Sequence, residues 1–187
     1  TGGQTGALPS FCGEDGPAGI EITSPYRYLQ EFMVRQREAG VLLALCSKNI
    51  EADVWAVFEH RTDQPLRREH LAGWRINWAA KPDNLRALAA QFNLGLDAFV
   101  FIDDNPVECA AVRAGCPEVV VLQLPRESER IPPFLDGVWV FDRTEATRED
   151  RERSQWYQID AEREKERAAA PTLRHLLAGL QLPIAVP

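Results

Sequence analysis

The chain has 187 residues, 45% of them hydrophobic and 26% charged, which fits one ordinary globular domain plus an appendage. A domain of this size buries roughly 70% of the surface its unfolded chain exposes, so its core needs no disulfide or metal staple. No apolar run reaches the roughly 20 residues of a membrane span, and the start TGGQTGALPS lacks the basic and apolar parts of a secretory signal. The expectation from these two absences is a cytoplasmic protein, and a net charge of −7 argues against a nucleic-acid partner held on a broad basic face.

Along the chain, Ser24-Pro25 is a helix start, with Ser24 as the cap and proline in the first turn. Tyr28, Leu29, Phe32 and Met33 follow at helical spacing until Gly40. Val41 to Cys46 is a continuous apolar run, which predicts a strand buried on both faces, as in a parallel sheet. A helix is predicted over Ala52 to Phe58, a short strand over Leu66 to Arg68, and a helix over Asn84 to Phe92 that closes at Asn93-Leu94-Gly95. Phe99 to Ile102 reads as a second buried strand, Val107 to Ala114 as a helix closed by Gly115, and Val119 to Leu122 as a third strand. Strands and helices alternating in this way predict a doubly wound parallel α/β sheet, whose ligands bind at the carboxyl ends of the strands. From Thr144 the character changes. A charged helix is expected from Thr147 to about Ala170, then a short one from Thr172 to Leu180, and Leu182 to Pro187 reads as the opening of a further strand. The division is an α/β domain over 1–143 and a C-terminal helical extension over 144–187 that leads toward a following domain.

Four cysteines (Cys12, Cys46, Cys109, Cys116) and three histidines are scattered without zinc-ligand spacing. The strongest chemical signal is Asp103-Asp104 at the end of a buried strand. Adjacent carboxylates repel unless a cation neutralises them, and magnesium with a phosphate is the usual solution. The alternative is that Asp103-Asp104-Asn105-Pro106 is only a helix-capping turn. Ser47 also ends a buried strand, where a hydroxyl can donate to a phosphate oxygen. Lys81 stands just before a helix, where an ammonium can neutralise a phosphoryl group.

A hydroxyl, a lysine and a double aspartate in that order resemble the second, third and fourth motifs of haloacid-dehalogenase-like (HAD) phosphatases. Gly13-Glu14-Asp15-Gly16, Leu45-Cys46-Ser47-Lys48-Asn49, Trp74-Arg75-Ile76-Asn77-Trp78, Phe101-Ile102-Asp103-Asp104-Asn105-Pro106-Val107-Glu108 and Glu149-Asp150-Arg151-Glu152-Arg153 look like the FkbH-like proteins of polyketide biosynthesis. The resemblance runs from about residue 11 to the C-terminus. It implies a HAD-like Rossmannoid sheet with no large cap domain, and a protein that dephosphorylates a bisphosphoglycerate-derived glyceryl unit. That unit, or a related three-carbon acyl unit, is loaded onto the phosphopantetheine of an acyl carrier protein. The resemblance further implies that Asp103 holds Mg2+ with Asp104 beside it, and that Ser47 and Lys81 hold the phosphoryl group of a small phosphorylated substrate. Asn49, Arg75 and Asn105 are expected to contact that substrate. Arg75 has an alternative as a surface arginine with a buried stem. Cys46, beside Ser47, and Cys12 are candidates for an enzyme thioester, against the alternative that both are packing residues; alternation turns Cys46 and Ser47 to opposite faces.

The first HAD motif, Asp-x-Asp-x-Thr, carries the nucleophile and the general acid. Its aspartate positions fall on Gly2 and Gln4, or on Thr1 and Gly3, depending on register, and neither supplies a carboxylate. An incomplete sequence, a diverged domain without phosphatase chemistry, and a poor strand that pairs all the same are the three accounts left open. The diverged case is a catalytically inactive scaffold that binds a carrier protein or a neighbouring module. For the carrier, Arg67-Arg68 and Arg75 are expected near the carboxyl edge of the sheet, as basic groups facing an acidic partner.

Overall fold

The computed structural model describes residues 22–141. Within them, helix α1 (Ser24–Glu38) leads to strand β1 (Leu43–Ser47), α2 (Glu51–His60), β2 (Leu71–Ile76), α3 (Lys81–Phe92), β3 (Val100–Asp103), α4 (Pro106–Gly115), β4 (Val120–Gln123) and α5 (Ile131–Asp136). The expected extension over 144–187 lies outside the described residues.

Local chemistry sets the helix ends. In α1 the cap is Thr23, one residue before the expected Ser24, and Pro25 stands in the first turn. Gly40 takes the left-handed turn with φ 88°, so that its N–H reaches Arg37 O while the N–H of Val41 reaches Gln36 O. Those two bonds satisfy carbonyls that the helix end leaves unpaired. Asn93 does the same for α3 with φ 50°, its N–H on Ala90 O and the Leu94 N–H on Ala89 O. An asparagine tolerates this conformation better than most residues.

The alternating order delivers the expected parallel α/β fold. β1 pairs with β2 in parallel, Leu45 opposite Trp74, Cys46 opposite Arg75 and Ser47 opposite Ile76, after an irregularity between Leu43 and Ala44. β3 pairs with β4 in parallel, Val100 opposite Val120 through Asp103 opposite Gln123. Among the described residues these remain two separate two-stranded sheets. This explains one departure from expectation. The run ending at Cys46 is not buried on both faces: Leu43 is buried but Ala44 is exposed, because β1 has a hydrogen-bonded neighbour on one side alone among the described residues. A second departure is the strand expected over Leu66 to Arg68. That stretch leads into a 3₁₀ turn at Arg68–His70, and the strand is Leu71–Ile76.

Two helices hold the strand pairs together from opposite faces. On one side α3 presents Leu85 to Phe101, Cys109, Val112 and Cys116, and Leu88 and Phe92 to Ala72, with Cys46 packed against both groups. On the other, Leu29 and Phe32 of α1 join Leu124, Ile131 and Leu135. Met33 reaches both that cluster and the one formed by Leu43, Val54, Trp55 and Ile76. Each such side chain, taken fully out of water, contributes roughly 1.5–3 kcal/mol. Helices on both faces of parallel strands are the layers of a doubly wound domain.

The contact of α3 with β2 is close enough to require glycine. A Cβ on Gly73 would stand 2.7 Å from Cζ of Phe92, a ring that is itself 3% exposed. Gly73→Ala is therefore expected to destabilise the chain by about 1–3 kcal/mol through overpacking, measured by urea denaturation. The loss should shrink in a Phe92→Leu background, where the ring no longer fills the space; an equal loss in both backgrounds contradicts the packing argument.

Candidate active site

The carboxyl ends of β1 and β3 carry Ser47 and Asp103, and Lys81 joins them. Lys81 is the first residue of α3, held by Pro82 in the first turn and without a side-chain cap on that helix. A helix N-terminus is the unfavourable end for a cation, so the ammonium needs other partners. It finds two. Nζ donates to the backbone carbonyl of Cys46, in a short contact, and lies 3.5 Å from Oδ2 of Asp103, both side chains being 5% exposed. One buried lysine thus ties the end of β1 to the end of β3. The Phe101 ring lies below it, 5.7 Å from Nζ, within the range of a cation–π attraction.

Asp103 is fixed on its other oxygen by the N–H of Asn105, at 2.9 Å. Burial pushes its carboxyl above the ordinary 3.8; the Asn105 N–H and the Lys81 charge hold it down, and the neighbouring Asp104 adds a smaller push upward. Asp104 is half-buried, close enough to Tyr26 to raise that phenol together with burial, which is the larger cause. Asn105 caps α4, its side chain accepting from Val107 N at 2.9 Å. The two readings of Asp103-Asp104-Asn105-Pro106 are thus both realised: Asn105 is a helix cap, and Asp103 is the buried half of an ion pair.

Ser47 is half-buried and its carbonyl accepts from Asn77 N. Asn49 turns its Oδ1 to the N–H of Ile50 at 2.8 Å, supporting the start of α2. Cys46 precedes Ser47 on β1, where successive side chains alternate between faces. Its side chain packs into the α3 clusters, and burial pushes its thiol up, away from the thiolate a nucleophile requires. Cys12 lies outside the described residues.

The structure does not bring Arg75 to this group. One of its terminal nitrogens donates to Trp74 O at 2.7 Å and to Gln91 Oε1 at 2.8 Å, and the other reaches Ala87 O. Alternation explains why: opposite Cys46, Arg75 points to the α3 side, and the helix absorbs its donors. Arg67 and Arg68 precede β2 in the chain and end no strand, while the Arg68 guanidinium extends along β2 to lie 4.2 Å from the centroid of Trp55 and 5.3 Å from that of Trp74. Glu51 accepts from both indole N–H groups, at 2.9 and 2.8 Å.

Two arrangements were not anticipated. Asn77 and Asn84 exchange side-chain hydrogen bonds at 2.9 and 3.2 Å, bracing the loop before Lys81. Lys48 makes an ion pair with Glu108 at 2.7 Å. Both glutamate and lysine stand inside stretches that carry the resemblance, but nothing in the sequence pairs residues 60 positions apart.

Among the described residues no group of three histidine, cysteine or acidic side chains is poised around a metal. Asp103 and Asp104 offer a two-carboxylate edge, which suits magnesium, an ion that commonly keeps several waters and takes its remaining oxygens from phosphate. The same donor set is too small to bind the free ion tightly.

The chain is similar to the N-terminal part of the protein BF1531 from Bacteroides fragilis, a solved structure containing a phosphatase domain complexed with Mg. The likeness has a TM-score of 0.60 and 33% sequence identity, and covers 63% of this chain and 31% of that one. This chain therefore spans about a third of the length of that structure, and its α/β fold is that of a HAD-like phosphatase domain. No family model and no curated protein matches it. No helix of the described residues is long and apolar enough to cross a membrane.

Lys81→Met strands the buried Asp103 carboxylate and is expected to cost about 3 kcal/mol, most of it recovered in the Lys81→Met, Asp103→Leu double variant. Denaturation midpoints of the set measure this. Because the folded carboxyl of Asp103 lies above 3.8, the native chain binds its proton more tightly than the unfolded chain. The stability linked to that proton is full below the unfolded value and lost as pH rises through the folded one. Wild type minus Asp103→Asn should show this fall; a rise over the same interval contradicts the assignment.

Proposed function

We propose that this chain is the phosphoryl-holding domain of an FkbH-like phosphatase and glyceryltransferase. In this reading it takes a phosphorylated three-carbon acyl unit, derived from a bisphosphoglycerate, and delivers the unit to the phosphopantetheine thiol of an acyl carrier protein. The observation that carries the phosphoryl part is the Lys81 ammonium, buried between the carbonyl of Cys46 and the carboxylate of Asp103. A buried cation at the carboxyl ends of parallel strands is a preorganised charge for a phosphoryl group. The likeness to a magnesium-complexed phosphatase domain supports it.

In this site Lys81 balances the phosphoryl charge and Ser47 offers its hydroxyl to an equatorial oxygen. Asp103 would hold magnesium with Asp104 beside it, and that ion would supply further charge neutralisation at the phosphate. Asn105, through its N–H, keeps Asp103 in place. The acyl unit and the carrier come from the motif resemblance, and one surface feature fits them. Ile50, Trp78 and Val107 are 56%, 72% and 71% exposed. Ile50 and Trp78 stand in the turns that follow β1 and β2, and Val107 in the first turn of α4, directly after β3. Exposed apolar side chains in such positions suit a large partner rather than a small free solute.

The second reading is an inactive scaffold that binds the carrier, and it turns on the first motif, since Thr1–Ser10 hold no aspartate or glutamate. Covalent phosphoryl transfer needs a carboxylate nucleophile at the first motif. One incubation separates the two readings: full chain, magnesium, a phosphorylated glyceryl donor and carrier protein, followed by mass spectrometry of the carrier and release of phosphate. Acylated carrier supports the enzyme. Carrier that binds without acylation supports the scaffold, and no carrier binding contradicts both. Trp78→Ala with Ile50→Ser is expected to weaken carrier binding on the order of tenfold while leaving the melting temperature unchanged. For magnesium alone, calorimetry is expected to show only weak binding; micromolar affinity contradicts a site of two carboxylates.

A further inference from the structure

We propose that Lys48 and Glu108 are a positioning pair that sets the spacing between Ser47 and Asp103, on the reading that those two groups act on one phosphoryl group. Lys48 directly follows Ser47, and Glu108 lies in the first turn of α4, five residues after Asp103. Their 2.7 Å ion pair therefore links the two turns that present the site. Such a link matters because β1 and β3 belong to separate two-stranded sheets among the described residues, where no strand pairing joins one to the other.

The first tie, Lys81, reaches Cys46 O on one strand and Asp103 on the other. The helices α1 and α3 pack the strand pairs together, but at the carboxyl ends themselves Lys81 is one polar link between the two turns. The Lys48–Glu108 pair is a second tie, made by different residues. Glu108 is well suited to hold its end. It sits among the first N–H groups of α4, where the helix favours a negative charge, and its side chain is 14% exposed, against 32% for Lys48. Partial burial shields the pair from the screening that makes surface ion pairs weak. The two ion pairs, Lys81–Asp103 and Lys48–Glu108, each join a residue at or after the end of β3 to a cation from elsewhere in the chain.

The test uses the full chain with Lys48→Met, Glu108→Gln and the exchanged pair Lys48→Glu, Glu108→Lys. Two quantities are read on each: amide hydrogen exchange, and orthophosphate binding in the presence of magnesium. Either single change should speed exchange in the turns around Lys48 and Glu108 by about three- to fivefold, leaving α3 unaffected, and weaken orthophosphate binding by a similar factor. Exchanging the charges should restore both. Unchanged exchange in the single variants, or an exchanged pair as fast as the singles, overturns the proposal. Restored exchange with orthophosphate binding still weak also overturns it, because Lys48 then touches the anion itself. If wild type binds no orthophosphate while exchange follows the expected pattern, the phosphoryl reading fails and the positioning pair stands.

Discussion

Burying an ammonium and a carboxylate together is the constraint around which this domain is arranged. Lys81 and Asp103 are each nearly out of water, a position that costs several kcal/mol per ion unless the two meet and their remaining hydrogen bonds are filled. They meet because Lys81, opening α3 after β2, reaches across to the ends of β1 and β3, and they are filled by the Cys46 carbonyl and the Asn105 N–H. Replacing such a pair with apolar residues commonly costs nothing in stability. Its presence is therefore better explained by chemistry than by folding, and a phosphoryl group with its metal is the ligand that one cation and one acid can share.

Much of this was legible in the sequence. The order of elements followed from apolar runs punctuated by Gly40, Asn93 and Gly115, because chain reversals need residues that tolerate them. The placement of Ser47, Lys81 and Asp103 at strand or helix ends followed from the polar residue that closes each run. What stayed illegible was side-chain direction. Arg75 is adjacent to Trp74 in a motif-like stretch, yet the pleat sends it into α3, where Gln91 and two carbonyls occupy it. Arg67 and Arg68 were misplaced for a related reason. The strand they were assigned to begins only at Leu71, so their backbone precedes it, and the Arg68 side chain is taken up by Trp55 and Trp74. Burial on both faces of β1 was likewise overread, since a continuous apolar run reports composition and says nothing of how many neighbours the strand obtains.

The surroundings of the ion pair divide its functional consequences. On the interior side, Cys46, Asn84 and the α3 clusters are packed and shielded, and burial pushes the Cys46 thiol up. On the solvent side, Ile50 and Trp78, in the turns after β1 and β2, and Val107, in the first turn of α4, stand exposed. In the proposed reading these apolar groups meet the carrier while the polar groups hold the phosphoryl end.

The central claim is that Lys81 and Asp103 share one phosphoryl and magnesium site, and side-chain NMR tests it most directly. Lysine ammonium nitrogens and aspartate carboxyl carbons, assigned through Lys81→Arg and Asp103→Asn, are followed while orthophosphate and magnesium are titrated together. The expected result is that the Lys81 and Asp103 resonances shift in parallel and saturate at the same ligand concentration. Resonances of both groups that stay unmoved, while orthophosphate perturbs other lysines, would contradict the account.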